Sequence, residues 1–331
     1  MKQSSSFDNS KPFSALMFGW LYGHGGYYTR ARIGKGGDFY TAVSASTFFG
    51  GSLAFYLLDL LEKGQLTLPL NIVEIGAHGG QLLGDVFSFL RALSNGVLEH
   101  VQCFSLEPLV PLRTLQQAYL AQRGVKLQCV SSPLELPTDA SLFIYCNELW
   151  DSFPCEVVQG GKMLYVDTDF TPLWRDTPLE QGCMPLWQDY VKGLAQVLAR
   201  APKWVVISFD YGQYGKRDGV DLRAYWQHRV LDFTDIVENL AALYQRTDLT
   251  YDVDFKSLES LFAQQGARSL FYGTQTKALI YMGLPKLLEL FEKHMPFTTY
   301  QREAFKARAL VDPNGFGERF KALILASFAP E

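Results

Sequence analysis

Residues 71–80, NIVEIGAHGG, constrain the fold more than any other part of this 331-residue chain, because an apolar run passes through an acidic residue into a glycine-rich turn. Ile72, Val73 and Ile75 make that run β-branched and continuous, the pattern of a parallel strand buried on both faces. Gly76, Gly79 and Gly80 remove the Cβ atoms that would keep a ligand off the backbone. A helix expected to follow from Gln81 to Leu93 presents its free N–H groups at the same place. The junction reads as a nucleotide-cofactor site, with an ordinary tight strand-to-helix turn as the alternative. Glu74, one residue before the strand end, is placed to lie under a cationic or hydroxyl-rich ligand. The glycines do not fit GxGxxG, and no Lys-Ser or Lys-Thr comes after them, so neither a dinucleotide fingerprint nor a P-loop is satisfied.

Strands are expected near 71–76, 101–106, 125–130, 141–146 and 203–209, with helices near 46–63, 80–94 and 109–123. This alternation predicts an α/β fold, a parallel sheet covered by helices on both faces. Two insertions break the pattern, at about 156–200 and 211–252. The first contains a hairpin, EVVQGGKMLYVD, turning at Gly160-Gly161, and then a helix over 184–199. Both come after the carboxyl ends of strands, where open α/β sheets bind ligands, and so form the expected cap. Residues 1–63 are expected to be a glycine- and tyrosine-rich loop and helix region covering the site, and 64–331 the α/β domain. In the tail, strands are expected near 268–272 and 276–282, then helices and a last apolar stretch, FKALILASF.

A hydrophobic share of 48% supplies a sizeable core, while a net charge of -4 and the lack of a basic run exclude an electrostatic footprint for nucleic acid. No apolar stretch approaches the roughly 18 residues that span a bilayer, and the amino end lacks the apolar core of a signal peptide. A cytoplasmic enzyme acting on a small molecule or a protein is expected. The five cysteines are odd in number, lack a CxxC pair and lie partly in apolar strands, so they should be reduced and packed. The five histidines show no ligand spacing, and no metal is implied.

Three further strand ends carry polar side chains into the same crevice. The second strand ends in FSLEP, where Glu107 can accept hydrogen bonds from both hydroxyls of a ribose; Glu-Pro as a plain helix start is the other reading. The fourth ends in FIYCNELWDSFP, delivering Asn147, Glu148 and Asp151. Glu148 and Asp151, three apart, can share a face and hold a planar guanidinium, or Asn147 can simply cap a helix whose first turn is acidic. The fifth ends in SFDYG, with Tyr211 able to stack on a ligand or to pack in the core. Near the amino end, Gly36-Gly37-Asp38-Phe39 reads as a turn that aims a carboxylate inward.

Taken in order, GYY (26–28), GDFYT (37–41), FG (49–50), VEIGAHGG (73–80), EP with LRTLQ (107–116), NELWDSFP (147–154), DYG (210–212), LRAYWQHRV (222–230), DLTYDVDF (248–255) and TQTKALIYMG (274–283) resemble the landmarks of one family. It is the MidA-type S-adenosyl-L-methionine (SAM)-dependent methyltransferases, whose mitochondrial members methylate an arginine on a subunit of respiratory complex I during its assembly. The resemblance covers nearly the whole chain. It implies a seven-stranded, Rossmann-like methyltransferase sheet, SAM as cofactor, and methyl transfer to an arginine of a protein partner, a respiratory complex I subunit being the family's case. It also implies that Glu74, Gly76 and Gly80, with Gly79 beside them, line the cofactor loop and that Glu107 holds the ribose. Asn147, Glu148 and Asp151 would border the adenosyl group and the acceptor, Glu148 and Asp151 being the catalytic pair. Asp38 and Thr41 would come from the loop covering the site. Two positions depart from the family pattern: His78 replaces the middle glycine of ExGxGxG, and Ala42, Val43 and Ser44 replace SPE after GDFYT. They leave standing a second reading, a catalytically silent relative that serves as a binding or assembly factor. Whether 211–252 closes over a peptide or makes a homodimer is open.

Overall fold

The computed structural model describes residues 9–30, 41–226 and 229–330. Its chain divides into two compact units, one made of 1–31, 150–187 and 215–254 and the other of 32–149, 188–214 and 255–331.

The larger unit is built on seven strands among the described residues. These are β1 (Leu70–Ile75), β2 (Val101–Leu106), β3 (Leu127–Val130), β4 (Ser141–Asn147), β5 (Trp204–Gln213), β6 (Arg268–Thr274) and β7 (Phe320–Ala326). Their order across the sheet is β6-β7-β5-β4-β1-β2-β3. The first five are parallel, and β7 enters antiparallel between β5 and β6. All six residues of β1 are buried, Asn71 and Glu74 among its apolar neighbours. The strand order reverses at β1, which has β2 on one side and β4 on the other, and Ile75 stands level with Leu106 and Cys146. A crevice must open there beyond the strand ends, because the connections on either side leave toward opposite faces.

Helices α1 (Phe48–Glu62), α2 (Gln81–Ser94), α3 (Val110–Ala121), α4 (Gln188–Leu198), α5 (Phe255–Ala263) and α6 (Gln275–Tyr281) flank this sheet. Leu53 and Leu57 of α1 and Leu83, Val86 and Leu90 of α2 share one core with Ile72 and Phe143. The two helices cross closely at Gly50, where a Cβ would sit 2.7 Å from the Cβ of Asp85. The FG landmark is thus a helix-crossing requirement.

One strand expectation is overturned. Residues 276–282 are not extended but form α6, begun by Thr274, whose hydroxyl accepts the N–H of Lys277. Ala278, Leu279 and Met282 are buried while Ile280 and Tyr281 are 55% and 46% exposed, a helical period that a short apolar run disguised. The seventh strand is instead the apolar FKALILA segment, which pairs with both β5 and β6.

The smaller unit carries the helix Phe13–Leu21 and two small antiparallel sheets. The hairpin turning at Gly160-Gly161 is present, with both glycines at positive φ. In the second sheet Arg223–Trp226 pairs with Asp248–Thr250, and Arg217 and Arg223 both close on Asp252. This ties the LRAYW and DLTYD landmarks to one another. Residues 188–198, expected inside the first insertion, belong to the sheet unit as α4. None of the five cysteines is in a disulfide.

Candidate functional site

The turn from β1 into α2 is built from alternating left-handed residues. Gly76 has φ +69°, His78 +43° and Gly80 +81°, whereas Gly79 is not left-handed. The family spacing ExGxGxG therefore runs through Glu74, Gly76, His78 and Gly80 without a shift of register. Only the middle side chain has changed. A left-handed backbone costs an L-residue about 1–2 kcal/mol, so His78 is held there by its surroundings. At Gly76 a Cβ would also stand 3.2 Å from Leu149 Cδ1, which fixes how near the β4 loop approaches.

Glu107 comes directly after β2, and its N–H continues the ladder to Val130 O at 2.9 Å. Its carboxylate is buried, accepting the Leu109 N–H at Oε1 (3.0 Å) and the Gln116 amide at Oε2 (3.3 Å). Burial pushes its pKa up to about 7, against the pull of those two donors and of Arg113. Gln116, on α3 and fully buried, also donates to His78 O at 3.0 Å and accepts from Ser105 Oγ at 2.7 Å. Sequence reasoning placed Gln116 in a landmark but gave it no role, since a buried amide has no local signature. The Glu-Pro pair is not itself the helix start: Pro108 precedes the N-cap Leu109, α3 begins at Val110 with Pro111 in its first turn, and Glu107 stays outside the helix.

Glu74 lies where expected, one residue from the end of β1, but its carboxylate is turned toward α2. It accepts the Leu83 N–H, and Oε2 has no hydrogen-bond partner. Burial pushes its pKa up to about 8. Asp85, with a pKa pushed up to about 7 by burial and eased down by Arg123, faces it from the same helix. Tyr145, level with Glu74 on β4, has its phenol raised further by the same carboxyl. Glu74 thus braces the start of α2 from inside.

At the end of β4, Glu148 occupies a left-handed position, φ +53°. Its N–H bonds Phe209 O at 2.9 Å, its Oε1 accepts Asn147 Nδ2 at 2.9 Å and its Oε2 accepts the Tyr211 hydroxyl at 3.3 Å. Asp210, fully buried on β5, holds the next residue by accepting Leu149 N–H at 3.1 Å. Asn147 Oδ1 is buried with no partner. Tyr211 packs on Phe320, ring centroids 4.1 Å apart, so the packing reading of that tyrosine holds while its hydroxyl orients Glu148.

Three expected residues remain. Asp38 is outside the described residues. Thr41 caps the short helix Ala42–Ala45 in a reciprocal capping box with Ser44. A Thr-x-x-Glu box is the usual form of this cap, so Ser44 keeps the capping function at the position where the family carries a carboxylate. Asp151 belongs to the smaller unit, buried in the turn Trp150–Ser152, with its carbonyl accepting Tyr251 N–H at 3.2 Å. Tyr251 in turn donates to Trp150 O at 2.8 Å and Phe153 O at 3.0 Å, locking the LWDSF turn from the DLTYD landmark.

Sheet order, the glycine turn after the central strand and the acid after its neighbour define a Rossmann-like fold of the methyltransferase type. Residues 52–177 match the family model described as "Putative S-adenosyl-L-methionine-dependent methyltransferase". The chain is 24% identical over 346 residues to the mitochondrial protein arginine methyltransferase NDUFAF7 of Bos taurus, spanning 91% of this chain and 76% of that one. A COG1565 superfamily member from Burkholderia thailandensis, bound to S-adenosyl-homocysteine, superposes with a TM-score of 0.74 at 21% identity. It spans 96% of this chain and 88% of its own. A second structure of a COG1565 protein from that organism gives 0.73 at 20% identity, over 96% and 87%. These matches support the MidA-type resemblance, with residues 52–177 the part that the SAM-dependent methyltransferase family model covers.

Proposed function

We propose that this protein transfers a methyl group from SAM to an arginine of a protein partner. The observation that carries the reading is the buried carboxylate of Glu107 beside the left-handed turn 76–80, at the point where the strand order reverses. The residues fit SAM. Gly76 and Gly80 hold the turn in its left-handed form, Glu107 is a ribose acceptor, and the orphaned Asn147 Oδ1 is a buried acceptor in want of a donor.

When bound, SAM supplies an electrophilic methyl group on a sulfonium. The protein's part is to bind, align and exclude water, because in-line placement of acceptor and methyl accounts for much of the rate. Glu107 keeps an acceptor surface for vicinal hydroxyls. Glu148, fixed by Asn147 and Tyr211, presents a carboxylate of set orientation, suited to hold a planar guanidinium by paired hydrogen bonds. Asp151 is proposed as its partner, and Thr41 and Asp38 as residues of the covering loop. The arginine is taken from the activity named for the Bos taurus relative, and a respiratory complex I subunit is proposed as the acceptor. No described helix is long and apolar enough to cross a membrane. A cytoplasmic site of action is proposed for this chain, while the relative is mitochondrial.

Calorimetric titration with SAM and S-adenosyl-homocysteine should give saturable binding, and the absence of heat at millimolar ligand would refute the cofactor reading. Incubation with labelled SAM and complex I subunits, then mass spectrometry, should show methylarginine; label on no arginine would remove the acceptor assignment. His78 in a glycine conformation favours one rival, a silent relative. That rival gains if SAM binds only after His78→Gly.

A further inference from the structure

The LRTLQ landmark ends in a residue the proposed reaction leaves without a task. Gln116 is fully buried on α3, and each end of its amide is committed. Oε1 accepts Ser105 Oγ at 2.7 Å, which fixes the orientation of the amide and turns Nε2 toward two acceptors. Those are the carbonyl of His78 at 3.0 Å and Oε2 of Glu107 at 3.3 Å. Its stem also lies against the turn, since a Cβ on Gly80 would meet Gln116 Cα, Cβ and Cγ at 3.6–3.7 Å.

We propose that Gln116 is a positioning residue of the cofactor site, whose single amide group locks the left-handed turn of β1 and the acid of β2 into one binding geometry. The inference rests on the SAM reading of the site. One –NH2 group has two protons, and here one serves the loop and the other the acid. The loop donor holds the carbonyl of the one non-glycine left-handed residue in the turn. The acid donor stabilises the charged form of Glu107, the form that accepts two hydroxyls, against the burial that favours its protonation. A local strand-to-helix turn and a residue some thirty positions later are thereby made to depend on one another.

The test is the pH dependence of S-adenosyl-homocysteine affinity, by calorimetry, for wild type, Gln116→Met, Gln116→Glu and Ser105→Ala, with thermal midpoints taken alongside. Arg113 on α3, Cys129 on β3 and Tyr190 on α4 are the titratable groups facing Glu107. Burial raises the thiol and the phenol, which keeps both neutral as Glu107 titrates. Wild-type affinity should rise with pH as Glu107 ionises. Gln116→Met keeps the stem and removes both donors. Affinity should drop about 10- to 100-fold, as expected for a lost hydrogen bond to a charged group, and the rising limb should move to higher pH. In Gln116→Glu the introduced carboxyl can donate only while it holds a proton, so affinity should gain a falling limb at high pH that wild type lacks. Ser105→Ala, the mildest change, should weaken binding several-fold with the fold kept. Wild type that binds while all three variants keep its affinity and pH profile would overturn the inference alone. Wild type that does not bind at all would remove the cofactor reading and this inference with it.

Discussion

The left-handed turn at His78 makes a quantitative prediction that separates conformation from contact. With φ at +43°, any residue carrying a Cβ at position 78 bears the cost of the left-handed region, about 1–2 kcal/mol, and glycine does not. Glycine gives back about 0.5–1 kcal/mol through its greater freedom in the unfolded chain. His78→Gly should therefore be more stable than His78→Ala by about 0.5–1 kcal/mol, since both lack the imidazole and differ only in the Cβ. With an m value of about 2–3 kcal/mol/M, that is a difference of ~0.2–0.5 M in urea midpoint. The comparison holds only if both variants unfold with the same m value, because a changed slope would signal a change other than in the turn. Equal midpoints, or a more stable alanine variant, would show that residue 78 does not hold the left-handed conformation, and the register assigned to ExGxGxG would fall with it. S-adenosyl-homocysteine titrations of the same pair read the second consequence. If the turn binds through its backbone, the two affinities should agree within a few-fold.

Single residues carry further consequences. The Glu74 carboxyl is raised by burial from its ordinary value to about 8, so the folded state binds the proton more tightly than the unfolded chain. The resulting stability is complete below the unfolded pKa and is lost as pH rises toward 8, at up to about 1.4 kcal/mol per pH unit. Glu74→Gln should flatten the fall in urea midpoint between pH 5.5 and 7.5, and an unchanged slope would contradict the assignment. Gly80→Ala, forced to φ +81°, should cost about 1–2 kcal/mol in chemical denaturation. Tyr251→Phe removes the donor that the carbonyls of Trp150 and Phe153 share, while Trp187 Nε1 still donates to Trp150 O at 3.2 Å, and should lower stability by about 1 kcal/mol, readable as a lower denaturation midpoint. Glu148→Gln keeps the Asn147 and Tyr211 neighbours but removes the charge for a guanidinium. It should raise KM for the protein acceptor while leaving S-adenosyl-homocysteine affinity within a few-fold; equal losses in both would place Glu148 on the cofactor.

The sheet was legible in the sequence because a parallel strand buried on both faces must be mostly apolar, as β1, β2, β4 and β5 are despite single polar residues such as Glu74 and Ser105. The expected site acid Glu107 and the pair Asn147 and Glu148 were legible for a related reason: strands in such a sheet end together, so the residues just past each run share one edge. The helix at 275–281 was not legible, since the short apolar stretch 278–282 suits either period and only its packing, with Ile280 and Tyr281 turned out, decides between them. The sequence also showed a histidine where a glycine was wanted, but not that the backbone keeps the glycine conformation around it. Gln116 carries the deepest part of this division. Its type and spacing say nothing, because a hydrogen bond between α3, the loop after β1 and the end of β2 exists only once three segments distant in sequence have been folded together. Sequence alone determined which strands form and what they carry at their ends, through the period of apolar residues. Tertiary structure alone decided which of those groups touch, because contact depends on the strand order and on how each turn is held.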